Sequence, residues 1–401
     1  MDPISSNNIS TAEVSTATMA ARLRIEFRKR YGRDPRLFRA PGRVNLIGEH
    51  TDYSEGYVMP LAIDLHAWVA AAPRDDDRIR VYSVNVGETA EIELAEPAPN
   101  LQGHWSAYIL GVAAVLHSTG MKLRGADLLV HGNVPMGAGL SSSASVEVAS
   151  GFAMLSISGL AMPPEELAKI CQRAENECAG AMVGIMDQMM ACCGRENYAL
   201  MLDCRTLGYQ LLPLFRGAQF VVCNSMVKHD HAANEYNQRR ADCETAAQLL
   251  SAKLAGIRTL RDLSPDQLER LRSELPTKVY RRARHVVSEN ARVLAARVAL
   301  EKDDPELFGA LMKQSHASLR DDYNVSCAEL DTLVELASQA EGVYGSRMTG
   351  GGFGGCSISL VASGRVDSFK RKMAEQYHRA TKLTPDVYSF RASDGAQEVI
   401  A

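Results

Sequence analysis

Residues 127–144 read DLLVHGNVPMGAGLSSSA, and this stretch decides between the folds that handle nucleotides. Asp127 to Val130 is the apolar run of a short strand, glycines follow at Gly132, Gly137 and Gly139, and helical periodicity begins at Ala144. Glycines let a backbone turn its N–H groups inward, and a helix N-terminus adds partial positive charge, so this order of elements makes an anion site. Ser141, Ser142 and Ser143 add hydroxyl donors and candidate magnesium ligands. The alternative is an ordinary glycine turn with a serine as helix N-cap. Two familiar motifs do not fit. The P-loop requires GxxxxGK[ST], but the loop has no lysine, and the dinucleotide fingerprint GxGxxG fails because the sixth position from Gly137 is Ser142. A literal GxGxxG does stand at Gly350 to Gly355. There Cys356 to Val361 follows as a strand where a dinucleotide unit needs a helix, which excludes a dehydrogenase.

Outward from the loop, helices are predicted at Ala144 to Ser158 and Pro164 to Cys178, then a strand at Tyr198 to Leu202. Upstream, residues 1–18 read as a frayed tail rich in Ser, Thr, Ala and Asn, followed by a helix from about Met19 to Arg30. Strands are expected at Val44 to Ile47, Ala67 to Ala72, Ile79 to Val86 and Glu91 to Leu94, with a hairpin turn at Pro73 to Asp77 and one helix at Trp105 to His117. Downstream, a strand at Phe220 to Asn224 opens a half dominated by helices near Asn234 to Leu254, Thr277 to Leu300, Pro305 to Leu319 and Ala328 to Gln339. Strands return at Cys356 to Val361 and Asp386 to Phe390. Without regular βαβ alternation the class is α+β, divided into an N-terminal α+β domain of residues 19–210 and a C-terminal α+β domain of 211–401.

The chain has 401 residues, a net charge of -4, 46% hydrophobic and 23% charged residues. That is an ordinary globular composition without the electrostatic footprint of a nucleic-acid binder, so a polyanionic ligand must be met locally. No apolar run approaches the roughly 18 residues of a membrane span, and the first residues lack the order of a signal peptide. The expected address is the cytoplasm. The nine cysteines form no CxxC, and Cys171, Cys192, Cys204 and Cys223 sit among apolar neighbours as reduced core thiols do. Cys192-Cys193 and the His229, His231 pair lack the further ligands of a tetrahedral metal site.

Three places carry chemistry outside the glycine loop. PGRVNLIGEHTDY at residues 41–53 packs Arg43, Asn45, Glu49, His50 and Asp52 around a short apolar core. Carboxylates that accept from vicinal hydroxyls, an imidazole and a guanidinium fork suit a polyhydroxylated ligand; the other reading is a hairpin corner with solvated charges. Glu175 lies at the edge of an apolar stripe of Leu167, Cys171, Ala174 and Cys178, either snorkelling to the surface or presenting a hard oxygen to a nucleotide-bound Mg²⁺. Asp187 stands in the almost wholly apolar run from Val183 to Cys193, where an ionised carboxylate needs a partner. It either caps a helix or pairs with Arg43 and faces an attacking hydroxyl.

Together, PGRVNLIGEHTDY at 41–53, PMGAGLSSSAS at 135–145 and MTGGGFGGC at 348–356 resemble the three motifs of the GHMP small-molecule kinases, the first being close to the galactokinase signature. Gly184 to Gln188 and Ser315 to Tyr323 also read as galactokinase segments, so the resemblance covers nearly the whole chain beyond the tail. It implies a two-domain fold with the active site in the interdomain cleft, and transfer of the ATP γ-phosphoryl group to the C1 hydroxyl of α-D-galactose with Mg²⁺ as cofactor. By this resemblance Arg43 and Asp187 are the catalytic pair and also touch the sugar, which Glu49, His50, Asp52, Gly184 and Tyr236 surround. Pro135, Gly137, Ala138, Gly139, Leu140, Ser141, Ser142 and Ser143 would cradle the nucleotide phosphates, and Ser143 with Glu175 would ligate Mg²⁺. Trp105 and Tyr108, at i and i+3 of one helix, would stack on adenine, or they simply pack the core. Gly350, Gly351, Gly352, Phe353, Gly354 and Gly355 would form a close-approach loop shaping the cleft. Small-molecule substrates, no nucleic acid or membrane partner and a monomer are expected. Rival readings are a kinase for N-acetylgalactosamine or a related sugar, and a non-catalytic galactose and ATP sensor on the same fold.

Overall fold

Alternate residues of the long strands face different helices, and this divides the first half of the molecule into layers. The structure, a computed structural model, describes residues 15–94, 101–228 and 232–400. Helix α1 (Thr16–Tyr31) precedes β1 (Arg36–Ile47) and β2 (Tyr57–Pro73), which pair antiparallel along almost their whole length. Leu37, Trp68, Ala70 and Ala72 point at Leu23 and Phe27 of α1, whereas Phe38, Ala40, Val69 and Ala71 point at the opposite layer. A period of two residues on a sheet covered on both faces gives this near-continuous burial. The opposite layer comprises α2 (Ala107–Ser118), α3 (Ser142–Ile157), α4 (Pro164–Ala174) and α5 (Met186–Cys193).

The same sheet holds β3 (Arg78–Ser83), β4 (Glu88–Glu93) and β5 (Ala126–Gly132), and β6 (Tyr198–Asp203) and β7 (Tyr209–Pro213) branch from β2. Beyond β2 the order is β5, β3, β4, with β3 and β5 parallel. The turn after Pro73 therefore does not close the expected hairpin. β5 lies between β2 and β3, and there the buried carboxylate of Asp127 on β5 accepts from Arg74, just past β2, and from Arg80 on β3.

The second sheet is antiparallel, with β8 (Ala218–Lys228), β9 (Val343–Thr349), β10 (Gly354–Ala362) and β11 (Asp386–Ser389) in the order β11, β8, β10, β9. Between β8 and β9 run α6 (Ala232–Ser251), α7 (Pro265–Arg270), α8 (Thr277–Glu301), α9 (Pro305–Ser318) and α10 (Ala328–Ser338), and α11 (Val366–Thr381) precedes β11. One face of this sheet packs on α10 and α11 through Leu333, Phe369 and Met373. The other joins α8 and α9 to the end of β1 in a core of Val44, Leu46, Phe220, Ile358, Leu360 and Phe308. The polar motif at 41–53 thus emerges where both halves share one core.

The last strand, β12 (Gln397–Glu398), returns to the first sheet beside β1, so this stretch of 211–401 belongs by its hydrogen bonds to the N-terminal half, and residue 210 falls inside β7. α5, β7, β9 and α11 were not anticipated. α5 is only eight residues, about two turns, without a side-chain N-cap, and β9 hides Gly345, Ser346 and Arg347 in its buried stretch. The expected frayed tail falls mostly on residues 1–14, outside the described residues; Ser15 already caps α1.

Candidate active site

Arg43 sits on β1 just after a shift in register against β2, an irregularity of the kind that re-aims a side chain. Its guanidinium is 7% exposed as a residue and forms a fork with Asp187, Nε donating to Oδ1 at 2.7 Å and Nη2 to Oδ2 at 2.6 Å. Nη1 donates to the Gly139 carbonyl at 2.5 Å, and the Arg43 backbone N–H to that of Leu140 at 3.1 Å. Asp187 lies in the first turn of α5 but caps nothing, since Ile185 is the N-cap residue and makes no side-chain bond. Its carboxylate is 24% exposed and also accepts from the Ser141 hydroxyl. The pairing alternative therefore holds over capping.

The glycine loop is anchored by buried Val134, Ala138 and Leu140, which leaves Gly137 and Gly139 at the surface. Both glycines and Ser141 take left-handed backbone angles, turning the chain tightly before α3. Ser143, in the first turn of α3, hydrogen-bonds to Glu175. Glu175 begins a wider, π-helical turn, Glu175–Ala179, that continues α4, and this turn carries its carboxylate inward to 4% exposure. The surface reading of Glu175 is excluded.

Sequence reasoning missed two neighbours there. Glu147, four residues after Ser143 on α3, is fully buried, and Gln188, the residue after Asp187, donates its amide to Glu175 at 2.7 Å and to Glu147 at 3.1 Å. A glutamate inside the otherwise apolar face of α3 was the available signal. The other oxygen of Glu147 meets no donor. Burial, then the charge of Asp187, pushes the Glu175 carboxyl up to about 7; burial and then Glu175 raise Glu147 well above the ordinary range. Buried carboxylates with a serine hydroxyl and an amide as donors, and no cation, form a donor set that fits a hard divalent ion. Among the described residues no group of three or more His, Cys, Asp or Glu side chains is placed to hold a metal by itself, so a cation here would also need the Ser143 hydroxyl and its ligand's oxygens, and His229 and His231 lie outside those residues.

Asp52 starts a short 3-10 turn, Asp52–Ser54, and presses on Gly184 so closely that a Cβ there would lie 1.6 Å from its Oδ2. Only glycine can stand at that contact. Burial first, and then the charge of Asp187, pushes the Asp52 carboxyl up to about 6. Tyr236 on α6 is raised well above the ordinary phenol range by burial and then by both Asp52 and Asp187, so these side chains stand close enough to sense one another's charge. Glu49 and His50 border it with their polar atoms already engaged. Glu49 accepts from Asn45, Arg347, Thr349 and the Gly350 N–H. His50 contacts Tyr53 at 2.8 Å and the Gly351 carbonyl at 3.1 Å, and its ring lies 5.4 Å from that of Tyr236.

The loop Gly350 to Gly355 links the two sides. A Cβ on Gly350 would lie 3.7 Å from the Gly139 backbone, one on Gly351 3.7 Å from Tyr236, and one on Gly352 2.3 Å from the Val325 carbonyl. Phe353 packs at its end, in a left-handed conformation. Trp105 stands before α2 rather than on it, its indole N–H donating to Glu88 at 3.0 Å, so the expected i, i+3 helical pair does not form. Tyr108 is half-buried in the first turn of α2 and senses the charges of Glu175 and Glu147.

Comparison with known proteins matches the galactokinase galactose-binding signature over residues 25–73, the GHMP kinases N terminal domain over 107–195 and the GHMP kinases C terminal family over 296–379. The chain is 47% identical to a galactokinase of Roseiflexus sp. (strain RS-1) over 94% of this chain and 97% of that one. It is 42% identical to one of Glaesserella parasuis serovar 5 over 90% and 94%. The crystal structure of Lactococcus lactis galactokinase complexed with galactose superposes with a TM-score of 0.92 at 35% identity, covering 95% of this chain and all of that one. A mevalonate kinase shares the fold, with a TM-score of 0.60 at 19% identity over 89% of this chain and 99% of that one.

Proposed function

Because the chain belongs to the galactokinase family of GHMP kinases and phosphorylates galactose, we propose that the space between Asp187, Asp52 and Tyr236 holds the sugar, with ATP lying along the glycine loop. The Arg43 fork on Asp187 carries this reading. The fork fixes the direction of the Asp187 carboxylate, and the third guanidinium nitrogen ties the pair to the Gly139 carbonyl of the loop.

A sugar whose C1 hydroxyl bonds to Asp187 then meets the γ-phosphoryl group beside the loop. The hydroxyl oxygen forms the new P–O bond, the bond to the β-phosphate oxygen breaks, ADP leaves, and the hydroxyl proton goes to Asp187. Phosphoryl transfer through a loose transition state asks mainly for positioning and charge neutralisation, so Arg43 and the loop amides of Gly137 to Ser143 contribute as much as proton removal. Asp52 accepts from the C3 and C4 hydroxyls, Gly184 lets it approach, and Tyr236, Glu49 and His50 complete the wall. A Glu49 oxygen whose protein donor is Asn45 alone keeps a lone pair for a sugar hydroxyl. Ser143 and Glu175 would hold Mg²⁺, which when bound neutralises charge on the β- and γ-phosphates. Tyr108, with Trp105 before it, borders the adenine.

Nine unpaired thiols fit a reducing compartment and support a cytoplasmic address. No described helix is long and apolar enough to cross a membrane. That the enzyme acts as a monomer is part of the same proposal. The test is ADP release on addition of galactose, with N-acetylgalactosamine as the comparison sugar, in the wild type and in Asp187→Ala. The variant should bind both substrates yet lose at least about 10³-fold in turnover. Near-normal turnover removes Asp187 from the chemistry.

A further inference from the structure

Arg347 is fully buried, and no solvent shares its charge. It lies on β9 in the C-terminal half but donates across the cleft base to the carbonyls of Asn45 and Leu46 on β1, each at 2.8 Å, and to its neighbour Met348 at 2.8 Å. Its fourth bond, at 3.1 Å, goes to Glu49 Oε1, which Thr349 Oγ1 and the Gly350 N–H also reach, at 2.9 and 2.8 Å. Two donors, Arg347 and the Gly350 N–H, thus converge on one oxygen of a residue in the sugar motif, and the single Thr349 proton is shared between that oxygen and the Asn45 carbonyl, also at 2.9 Å.

His50 holds the next residue of the loop from the other side. A carbonyl only accepts, so the His50 Nε2 that meets the Gly351 carbonyl at 3.1 Å carries the proton. Burial keeps the ring neutral, pushing it down to about 4, and Nδ1 therefore accepts from the Tyr53 hydroxyl at 2.8 Å. Tyr53 in turn contacts Tyr323 at 2.6 Å. Consecutive residues 49 and 50 so fix consecutive residues 350 and 351, one by accepting and one by donating. The gripped segment is the part that lies beside Gly139 and Tyr236, where an added Cβ would reach 3.7 Å from each.

We propose that Arg347 is a positioning residue for phosphoryl transfer: acting through Glu49, with Thr349 beside it, it fixes the Gly350–Gly351 segment that spaces the sugar from the phosphate loop. The proposal rests on the reading that Glu49, His50 and Tyr236 border the sugar. Stability alone gives a weak reason for such a residue, since a buried ion pair is often replaceable by apolar side chains of similar volume at little loss. What the guanidinium supplies is direction, with a planar fork aimed at the β1 carbonyls and at the carboxylate.

The test measures steady-state constants for Arg347→Lys and Thr349→Val, with ADP affinity determined in the absence of sugar and thermal unfolding recorded for each. Expected for Arg347→Lys is a KM for galactose raised at least fivefold and kcat lowered at least tenfold while ADP affinity stays within twofold. The nearly isosteric Thr349→Val should change both kinetic constants in the same direction about threefold, and it carries the test if the lysine variant does not fold. Constants within twofold of wild type in folded variants, even with lower thermal stability, overturn the proposal. So does an equal loss of affinity for both substrates. Asp52→Asn is measured alongside. If it loses galactose affinity while the clasp variants do not, the proposal fails and the sugar-site reading stands; if it loses none, both fail.

Discussion

Arg43 joins three parts of the site through one planar group: Asp187 on α5, the Gly139 carbonyl of the loop and its own strand. No lysine could hold all of these in one plane, because an ammonium is a point donor without a fork. Asp52 is the residue whose charge state should be seen in the kinetics. Its carboxyl is pushed up to about 6 by burial and then by Asp187, so it is charged above that pH and takes a proton below it. In a neutral Asp52 one oxygen becomes a donor and the other accepts without the help of a charge, so its bonds to two hydroxyls weaken. The KM for galactose should therefore rise as the pH falls below about 6, by up to about tenfold per unit. In Asp52→Asn the KM should be raised throughout and this acid limb absent. An unchanged limb in the variant would assign it to another group.

At the scale of elements, the N-terminus of α5 does two jobs with adjacent residues. Asp187 faces Arg43, and Gln188 turns the other way to hold Glu175 from the π-helical turn and Glu147 from α3. Replacing Gln188 by Leu removes the amide donors from both carboxylates. In the unfolded chain glutamates titrate near 4.3, whereas in the fold Glu175 is pushed up to about 7 and Glu147 is also raised well above the ordinary range. The folded state thus binds protons more readily, and this contribution to stability, present at low pH, is lost as the pH rises through about 7. Gln188→Leu should lower unfolding free energy by roughly 2–3 kcal/mol at pH 8 and by clearly less at pH 5, measured by urea denaturation without metal. An equal deficit at both pH values would mean that Gln188 merely fills space. The π-helical turn itself was legible only as a helix continuing to Cys178, because the apolar stripe of α4 runs through it; the extra residue per turn that swings Glu175 inward leaves no mark in that periodicity.

At the scale of the whole molecule, the chain closes on itself. Residues after Phe390 return across the first sheet: the Ser393 N–H donates to the Ala62 carbonyl, Gly395 and Ala396 to the carbonyls of Gly194 and Ala191, and Glu398 takes both ends of the Arg36 guanidinium. Deleting residues 391–401 should therefore destabilise the N-terminal half, by roughly 3–5 kcal/mol in a denaturant titration, although these hydrogen bonds go to none of the residues assigned to the reaction. A loss below about 1 kcal/mol would show that the returning strand is only laid on the surface.

The α+β class, the glycine loop before a helix, and the tension around Asp187 were open to reading in the sequence, because each depends on local rules: strand and helix periods, glycine geometry, and the need of a buried carboxylate for a partner. So was the density of polar groups at 41–53. Local rules could not say which partner each group takes. That Arg43 meets Asp187 across 144 residues follows from α5 packing on the first sheet beside β1, and that Glu49 meets Arg347 across 298 follows from two sheets sharing one core at the end of β1. Arg347 itself was invisible as a functional candidate, a lone cation in a strand whose burial no local pattern announces. Hydrogen-bond partners at such separation are chosen by packing, and only the tertiary structure decided them.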